Sequence, residues 1–229
     1  MRILAGAALV LLALALSSCG KKKAAEPSPV ETEEPMEEVL DQATEPEASY
    51  VPGLFDIETD YGTIRVQLYE DTPKHLENFR KLVDQHFYDG VLFHRVISGF
   101  MIQTGDPFTK DTALVARYGQ GGPGYTVDAE ILPQHTHKKG ALAAARLSDV
   151  ANPLRESSGS QFYIVLSEEG CRHLDGAYTV FGETVSGLEV VDLIGSMMTD
   201  RYDMPLEPVH IITVKPVAVE TEEPTVEEE

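Results

Sequence analysis

Cysteine, basic residues and tryptophan are scarce in this chain of 229 residues, which has two cysteines, 18 Lys and Arg, and no tryptophan. Against those bases stand 38 Asp and Glu, for a formal net charge of −20. Nucleic-acid-binding domains need a basic patch or stripe, so the excess of acid argues against nucleic-acid binding. The apolar run at the N-terminus, Ile3 to Leu16, has 14 residues. A bilayer-spanning helix needs about 20, so we expect no permanent transmembrane helix.

The N-terminal segment has the layout of a secretory signal, with Arg2, the apolar run and then Leu16-Ser17-Ser18-Cys19. Its end resembles the bacterial lipobox, which implies that Cys19 carries acyl chains such as palmitate. The alternative is an ordinary secretory signal cleaved nearby, with Cys19 incidental. We expect residues 1–18 to be a lipoprotein signal peptide, and Cys19 to anchor the protein to a membrane of the bacterial cell envelope, on the extracytoplasmic side. Cys171 then has no disulfide partner, and we expect a buried thiol there.

Much of the negative charge lies in two flanking segments. Residues 20–50 hold nine acids against three lysines, and residues 216–229 hold six acids and no base, so residues 51–215 carry only −9. Flanks rich in Glu and Pro and poor in aromatics bury too little apolar surface to offset the entropy of ordering. We expect a disordered, acidic, Pro-rich tether over 19–50, one folded domain over 51–215 and a disordered acidic tail over 216–229.

Several segments between these flanks alternate apolar and polar residues, as strands do. Residues 54–59 and 63–68 predict a hairpin, and Pro73 after Thr72 begins a helix that reaches about residue 85. The remaining patterns predict strands at 140–145, 161–166 and 209–214 and a short helix at 188–194. This mainly β pattern favours a closed antiparallel barrel capped by the two helices, although the pattern alone does not exclude a sandwich.

Two longer segments have no strand or helix pattern. The segment 104–126 is crowded with glycine, notably Gly119-Gln120-Gly121-Gly122-Pro123-Gly124. It lacks the Gly-Lys-Ser/Thr ending of a phosphate loop and no helix pattern follows it, so we interpret it as a surface loop. The segment 147–157 contains the turn signal Asn152-Pro153 and also predicts a surface loop.

Three motifs occur in a fixed order along the chain. The first begins Phe93-His94-Arg95-Val96-Ile97 and runs to Asp106, the second is Ser158-Gly159-Ser160-Gln161-Phe162-Tyr163-Ile164, and the third runs from Leu174 to Glu183. They resemble the two main motifs and the closing strand of the cyclophilins, and the resemblance spans roughly residues 54 to 215. It implies an eight-stranded barrel with a helix at each end and peptidyl-prolyl cis-trans isomerase activity.

The reaction implied by the resemblance is rotation about an X-Pro amide, whose barrier is about 18–20 kcal/mol. No bond is made or broken, so we expect no nucleophile, metal or organic cofactor. Arg95 matches the catalytic arginine of the family, and its fixed guanidinium can donate to the prolyl nitrogen as that atom pyramidalises. The alternative is a surface arginine in a salt bridge. Gln103 is the second catalytic candidate, as a polar anchor for the peptide.

The pyrrolidine ring calls for an apolar cup. The positions matching it are Phe100, Met101, Tyr163 and Leu174. Neighbours in a strand face opposite sides, so Phe162 is expected in the core and Tyr163 in the cup. Taken singly, each of these residues reads as barrel core, and it is their joint spacing that favours a cup.

The backbone at Ala145 and Arg146 is expected to anchor the peptide on either side of the proline. Three positions depart from the common family residues: Arg146 stands for asparagine, His173 for tryptophan and Tyr178 for histidine. The last two keep a flat ring with a polar tip, so we expect the pocket to persist in altered form. The pair His135 and His137 shows no metal-ligand pattern with Cys or acids, and no metal site is expected.

Our first hypothesis is therefore an active isomerase that speeds proline-limited folding of exported proteins, acting as a monomer on X-Pro segments. The second is a non-catalytic module that binds proline peptides as a chaperone or scaffold. A third assigns the function to the acidic tether and tail, with the barrel as a passive head. Arg95 favours the first, because a binding module would tolerate its loss.

Overall fold

The computed structural model describes residues 49–219. The predicted signal peptide, Cys19, and most of the predicted tether and tail lie outside the described residues. Over 49–219, none of the helices combines the length and apolar character that crossing a membrane requires.

Short strands dominate the described part, so the mainly β prediction is confirmed. It also has two α-helices and three 3-10 turns, at Pro107–Lys110, Thr112–Arg117 and Arg172–Leu174. The α-helices are α1 (Pro73–Asp84) and α2 (Leu188–Gly195). The strands are β1 (Tyr50–Thr59), β2 (Gly62–Leu68), β3 (Arg95–Ile97), β4 (Met101–Thr104), β5 (Thr126–Val127), β6 (Ala141–Ala144), β7 (Ser157–Ser158), β8 (Phe162–Val165), β9 (Val180–Ser186) and β10 (Ile211–Ala218).

The predicted hairpin is β1 and β2, paired antiparallel with Ile57 opposite Ile64. Its alternation puts Phe55, Ile57, Ile64 and Val66 in the buried core. β1 begins at Tyr50 and β10 ends at Ala218, so the terminal strands extend slightly past the predicted domain limits of 51 and 215.

Eight strands form one antiparallel sheet in the order β10-β1-β2-β9-β6-β8-β4-β3, and β5 pairs with β7 separately. Among the described residues no ladder joins the two edge strands β3 and β10. The segment before β3 carries the contact instead: Phe93 N–H donates to the Val209 carbonyl at 2.9 Å, and Ile211 N–H to the Val91 carbonyl at 2.8 Å. The fold is thus a curled, open half-barrel with two helices, and the complete closure implied by the resemblance is not shown.

Helix α1 begins at Pro73, as predicted, but a distant residue caps it. The Glu130 carboxylate accepts the Lys74 and His75 N–H groups, each at 3.0 Å. Thr72, at the N-cap position, makes no side-chain cap bond. An acceptor with negative charge suits the N-terminus of a helix, since the first N–H groups have no partner within the helix.

The sheet has two apolar faces. The inner face includes Val96, Ile102, Ile164 and Leu142, which occupy matching positions on β3, β4, β8 and β6 and belong to the main core together with apolar residues of α1 and α2. Phe162 belongs to this core and Tyr163 to a second cluster on the opposite face, as strand alternation predicts. Met101 and Tyr163 of that second cluster line a cavity on the outer face of the sheet.

Candidate active site

A row of directly opposed residues crosses four neighbouring strands on the outer face. Arg95 faces Gln103, Gln103 faces Tyr163, and Tyr163 faces Ala143. Because opposed residues in a sheet point to the same side, the guanidinium, the amide and the phenol ring share one face. Next to this row lies a cavity of about 860 Å³.

Nearly all the predicted site residues line this cavity. They are Arg95, Phe100, Met101, Gln103, Ala145, Arg146, Tyr163, Leu174 and Tyr178. His173 is the exception. It is exposed in the turn Arg172–Leu174, and its ring centroid lies 6.0 Å from that of Phe100. His173 therefore flanks the apolar cup beside Phe100 and does not line the cavity.

Arg95 lines the cavity and also forms an ion pair. Its Nε lies 3.6 Å from Oδ2 of Asp203, and the side chains are 43% and 45% exposed. Pairs this exposed hold a side chain weakly. The ion pair of the surface interpretation is therefore present, while the half-exposed Arg95 side chain still lines the cavity.

Gln103 belongs to a glutamine pair that reaches the glycine-rich loop. Its Nε2 donates to Oε1 of Gln161 at 3.0 Å. The Gln161 Nε2 donates in turn to the carbonyls of Gly119 at 3.0 Å and Gly121 at 2.8 Å. The Gln103 amide is therefore held in one orientation, and Gln161 is a site-organising residue whose role the sequence analysis did not find.

The segment 104–126 proves to be part of the site. Fully buried Asp106 accepts the N–H groups of Gly119 and Gly121 and that of Phe108 at 2.8 Å. These three hydrogen bonds, the Asp106 clamp, hold the loop beside the cavity. Four residues of the loop help to line that cavity: Val115, Ala116, Tyr118 and Gly119. The interpretation as a plain surface loop was wrong in that respect. The signal available in the sequence was an aspartate at the end of a motif, 13 and 15 residues before the two glycines it binds.

The backbone of Ala145 is largely committed to the fold. Its N–H donates to the Gln161 carbonyl at 3.0 Å, and its carbonyl accepts from Ser158 N–H at 2.7 Å. A carbonyl oxygen has two lone pairs, so one acceptor site is left on Ala145 for a peptide. At Ala145, the expected backbone anchor is therefore limited to the carbonyl oxygen.

The Arg146 side chain forms a wall of the cavity and is only 5% exposed. Its Nε donates to the Ala177 carbonyl at 2.9 Å, and its Nη1 lies 2.7 Å from the Asp149 carboxylate. The guanidinium carbon stands 4.3 Å over the ring of Tyr178. Bonds from Arg155 and Arg146 hold the pKa of the Asp149 carboxyl below its usual value. The Arg146 guanidinium thus binds Asp149 of the loop 147–157 and packs over the ring of Tyr178.

A rim loop on the Arg95 side was not predicted. It spans residues 199–205, is closed by a bridge between Thr199 and Pro205, and docks on β3 through Val96 N–H, which donates to the Asp203 carbonyl at 2.7 Å. Asp200, Tyr202 and Met204 from this loop line the cavity. No pattern in the local sequence indicates this position, because only the docking on β3 creates it.

Beneath the cup lies a chain of three polar groups, of which His137 and Tyr163 are buried and Asp175 is partly exposed. The His137 Nδ1 is 2.8 Å from Oδ1 of Asp175, and its Nε2 is 3.0 Å from the Tyr163 hydroxyl. Burial lowers the pKa of His137 despite the carboxylate beside it. Burial also raises the pKa of the Tyr163 phenol. Across residues 49–219, no three side chains among His, Cys, Asp and Glu are placed to hold a metal ion.

Fold and site together define a mainly β protein with an apolar, arginine-edged cavity, and the chain is similar to several known proteins. The family model for "Cyclophilin type peptidyl-prolyl cis-trans isomerase/CLD" matches residues 54–216. Peptidyl-prolyl cis-trans isomerase B of Bacillus subtilis is 43% identical over 139 residues, which are 60% of this chain and 85% of that protein. Peptidyl-prolyl cis-trans isomerase ppi1 of Schizosaccharomyces pombe is 37% identical over 158 residues, which are 69% of this chain and 94% of that protein.

A solved structure agrees. The crystal structure of a cyclophilin type peptidyl-prolyl cis-trans isomerase of Cryptosporidium parvum, in the presence of the dipeptide Ala-Pro, matches with a TM-score of 0.62 and 29% sequence identity. The match covers 73% of this chain and 99% of the Cryptosporidium parvum chain. This chain belongs to the cyclophilin-type peptidyl-prolyl cis-trans isomerases, and it is an enzyme of that class.

Proposed function

We propose that this protein accelerates the rotation of X-Pro amides in exported proteins, and that Arg95 stabilises the twisted amide. The observation that carries the proposal is the row formed by Arg95, Gln103 and Tyr163 on one face of the sheet, beside an apolar cavity. This row puts a charged donor, a polar anchor and an apolar ring within the reach of one proline residue.

The chemistry follows from the geometry. The amide is planar because the nitrogen lone pair is delocalised into the carbonyl, and the twisted state frees that lone pair. A guanidinium that donates to the freed lone pair favours the twisted state over both planar ground states. Shortening a relaxation of tens of seconds to milliseconds requires lowering the barrier by about 6–7 kcal/mol.

The apolar cup and the polar anchors lower the rotation barrier further. Phe100, Met101 and Leu174 hold the pyrrolidine ring still, while the acyl side rotates toward the rim. The Gln103 amide and the remaining acceptor site on Ala145 fix the backbone that flanks the proline. Positioning of this kind lowers a barrier because the entropy cost of alignment is met on binding. The donor, the anchors and the cup named here all belong to one chain, which supports action as a monomer.

The cellular setting is part of the proposal. The lipobox-like Leu16-Ser17-Ser18-Cys19 supports a lipid anchor on Cys19 and a place in the bacterial cell envelope, on the extracytoplasmic side. Several acyl chains anchor a protein stably, whereas one chain binds only marginally. Metabolic labelling with a fatty acid tests this directly. Label in the wild type and none in Cys19→Ser is the expected result, and an unlabelled wild type contradicts the anchor.

The activity itself is tested with the full chain and an Ala-Pro peptide, by exchange spectroscopy in the presence of a metal chelator. Faster cis-trans exchange at substoichiometric protein is the expected result. Binding of the peptide without any gain in exchange rate contradicts the proposal and supports a non-catalytic proline-binding module.

A further inference from the structure

The cup contains a tyrosine, whose hydroxyl needs a partner in an apolar place. A buried hydroxyl without a hydrogen bond costs free energy, and a free one could compete for the substrate's polar groups. The Tyr163 hydroxyl is bonded to Nε2 of His137 at 3.0 Å, and the His137 side chain has no exposed surface. Tyr163 lines the cavity, whereas His137 does not. The polar end of the ring therefore points to an internal partner.

Asp175 fixes the orientation of the imidazole. Its Oδ1 accepts the backbone N–H of His137 and lies 2.8 Å from the ring Nδ1. A carboxylate accepts only, so Nδ1 carries the proton and Nε2 of the neutral ring is left as an acceptor. The Tyr163 hydroxyl is then the donor. Burial lowers the pKa of His137, which keeps the ring neutral near pH 7.

The rings around this bond leave Tyr163 little freedom. The His137 and Tyr163 rings are nearly parallel, at 12° and with centroids 6.0 Å apart. Tyr178 meets both rings edge-on, at 87° and 82°. The hydroxyl bond fixes one end of Tyr163, and Tyr178 supports the ring from the side.

We propose that His137 is a positioning residue of the active site: held by Asp175, it binds the Tyr163 hydroxyl and so presents the ring of Tyr163, not its polar end, to the proline of the substrate. His137 acts through Tyr163 and does not touch the substrate. This inference rests on the proposed function, because it concerns the same cup.

The chain holds a matched control for a buried histidine. His75 lies between a carboxylate and a hydroxyl in the same way, with Nδ1 2.6 Å from Glu130 and Nε2 2.9 Å from Ser157. It is also buried, but neither it nor its two partners line the active-site cavity. Substitution of His75 therefore reports the cost of disturbing a buried imidazole without reaching the cup.

The test compares two polar variants of similar size. In His137→Gln the amide reaches the place of Nε2 and can accept from Tyr163, whereas in His137→Asn it reaches only the place of Nδ1. We expect kcat/KM of His137→Asn to fall about tenfold below that of His137→Gln, for the loss of one hydrogen bond at the cup. In the Tyr163→Phe background this difference should disappear, because no hydroxyl is left to bind.

The same pair at His75 provides the contrast. Both His75 variants should lower the melting temperature, and any difference in kcat/KM between them should be unaffected by Tyr163→Phe, because distant sites are independent. A gap between the two His137 variants that persists in the Tyr163→Phe background would show a merely structural role and overturn the inference. Equal kcat/KM for the two His137 variants would overturn it as well.

One measurement needs no variant. In the wild type, a slowly exchanging hydroxyl proton of Tyr163 with a nuclear Overhauser contact to the His137 ring is expected, both before and after saturation with an Ala-Pro peptide. Loss of that contact on saturation would contradict the inference even if the His137 variants do not fold. An inactive wild type would instead refute the proposed function, so the two failures are distinguishable.

Discussion

Arg95 of β3 lies directly opposite Gln103 of β4 in the antiparallel ladder. The backbone pairing thus sets the distance between the charged donor and the polar anchor, since neighbouring strands are about 4.7–4.9 Å apart. Gln103 is opposite Tyr163 of β8 in turn. Three candidate site side chains are thereby positioned by the register of the sheet, and the loops of the site complete the cavity around them.

Gln161 is predicted to organise the site through its two donated bonds. In Gln161→Glu the carboxylate can still accept from Gln103, but it cannot donate to the carbonyls of Gly119 and Gly121. We expect a loss of roughly 2 kcal/mol or more in the free energy of unfolding, for two acceptors left without their donor, together with reduced kcat/KM. Urea unfolding and the peptide assay measure the two effects.

The control for Gln161→Glu is Gln134→Glu. Gln134 is exposed and bonds to Asp71 at 3.0 Å, outside the cavity. This change should leave kcat/KM near the wild-type value. Wild-type stability and activity in Gln161→Glu would show that the glutamine bridge does not hold the loop.

Stability is predicted to fall as the pH decreases below about 6.5. Burial lowers the pKa of His75, His94 and His137 below the usual imidazole value of about 6.5. The unfolded chain then binds more protons than the folded one at acidic pH, so the free energy of unfolding increases with pH in this window. The stabilisation is fully present above pH 6.5 and is lost as the pH falls toward the folded-state values.

Melting temperatures between pH 5 and pH 8 measure this dependence. His75→Gln should flatten the curve, because it removes one of the groups that titrate between the two states. His86→Gln, at a histidine whose side chain is 76% exposed, is the control for a histidine substitution that disturbs no buried imidazole. A melting temperature that rises on acidification from pH 7 to pH 5 would contradict the assignment of buried neutral histidines.

Arg146 is predicted to act on peptide binding more than on turnover. In Arg146→Asn the loop 147–157 loses its bond to the charge at 146, and Tyr178 loses the guanidinium over its ring. We expect KM to rise by roughly tenfold or less with a smaller change in kcat, since the wall contributes equally in the ground and transition states. Cleavage of the loop by a protease should also become faster.

The control for Arg146→Asn is Arg80→Asn, an exposed arginine on helix α1 away from the cavity. It should change neither KM nor the cleavage pattern. Unchanged KM in Arg146→Asn, or a loss confined to kcat, would show that the arginine wall does not contribute to holding the peptide.

Much of the secondary structure could be predicted from the sequence, because it depends on local patterns. Alternation predicted the hairpin of β1 and β2, and Pro73 predicted the start of α1. The cap of α1 could not be predicted, since Glu130 is 55 residues away from His75. Closure of the barrel was overpredicted for a related reason: whether two edge strands pair depends on register and curvature, which no local pattern records.

The candidate site residues were predicted from the motifs, whereas structural contacts that the motifs do not record were not predicted. Tyr163 was predicted as a cup residue and lines the cavity, but its partner His137 was considered only as a metal ligand and dismissed. The position of the rim loop 199–205 was not predicted, and neither was the Asp106 clamp. Each depends on contacts between segments that are separated in sequence. His173 matches a family position, and in the structure it flanks the cup beside Phe100 without lining the cavity.

The most direct test of the account is the cis-trans exchange rate of an Ala-Pro peptide with wild-type protein, Arg95→Lys and Arg95→Ala, each verified as folded. If Arg95 stabilises the twisted amide, Arg95→Ala should lose about 100-fold in kcat/KM, as expected for one preorganised donor to the transition state, with the loss mainly in kcat. Arg95→Lys should recover only part of it, because an ammonium lacks the fixed fork of donors. Wild-type rates in folded Arg95→Ala would contradict the mechanism.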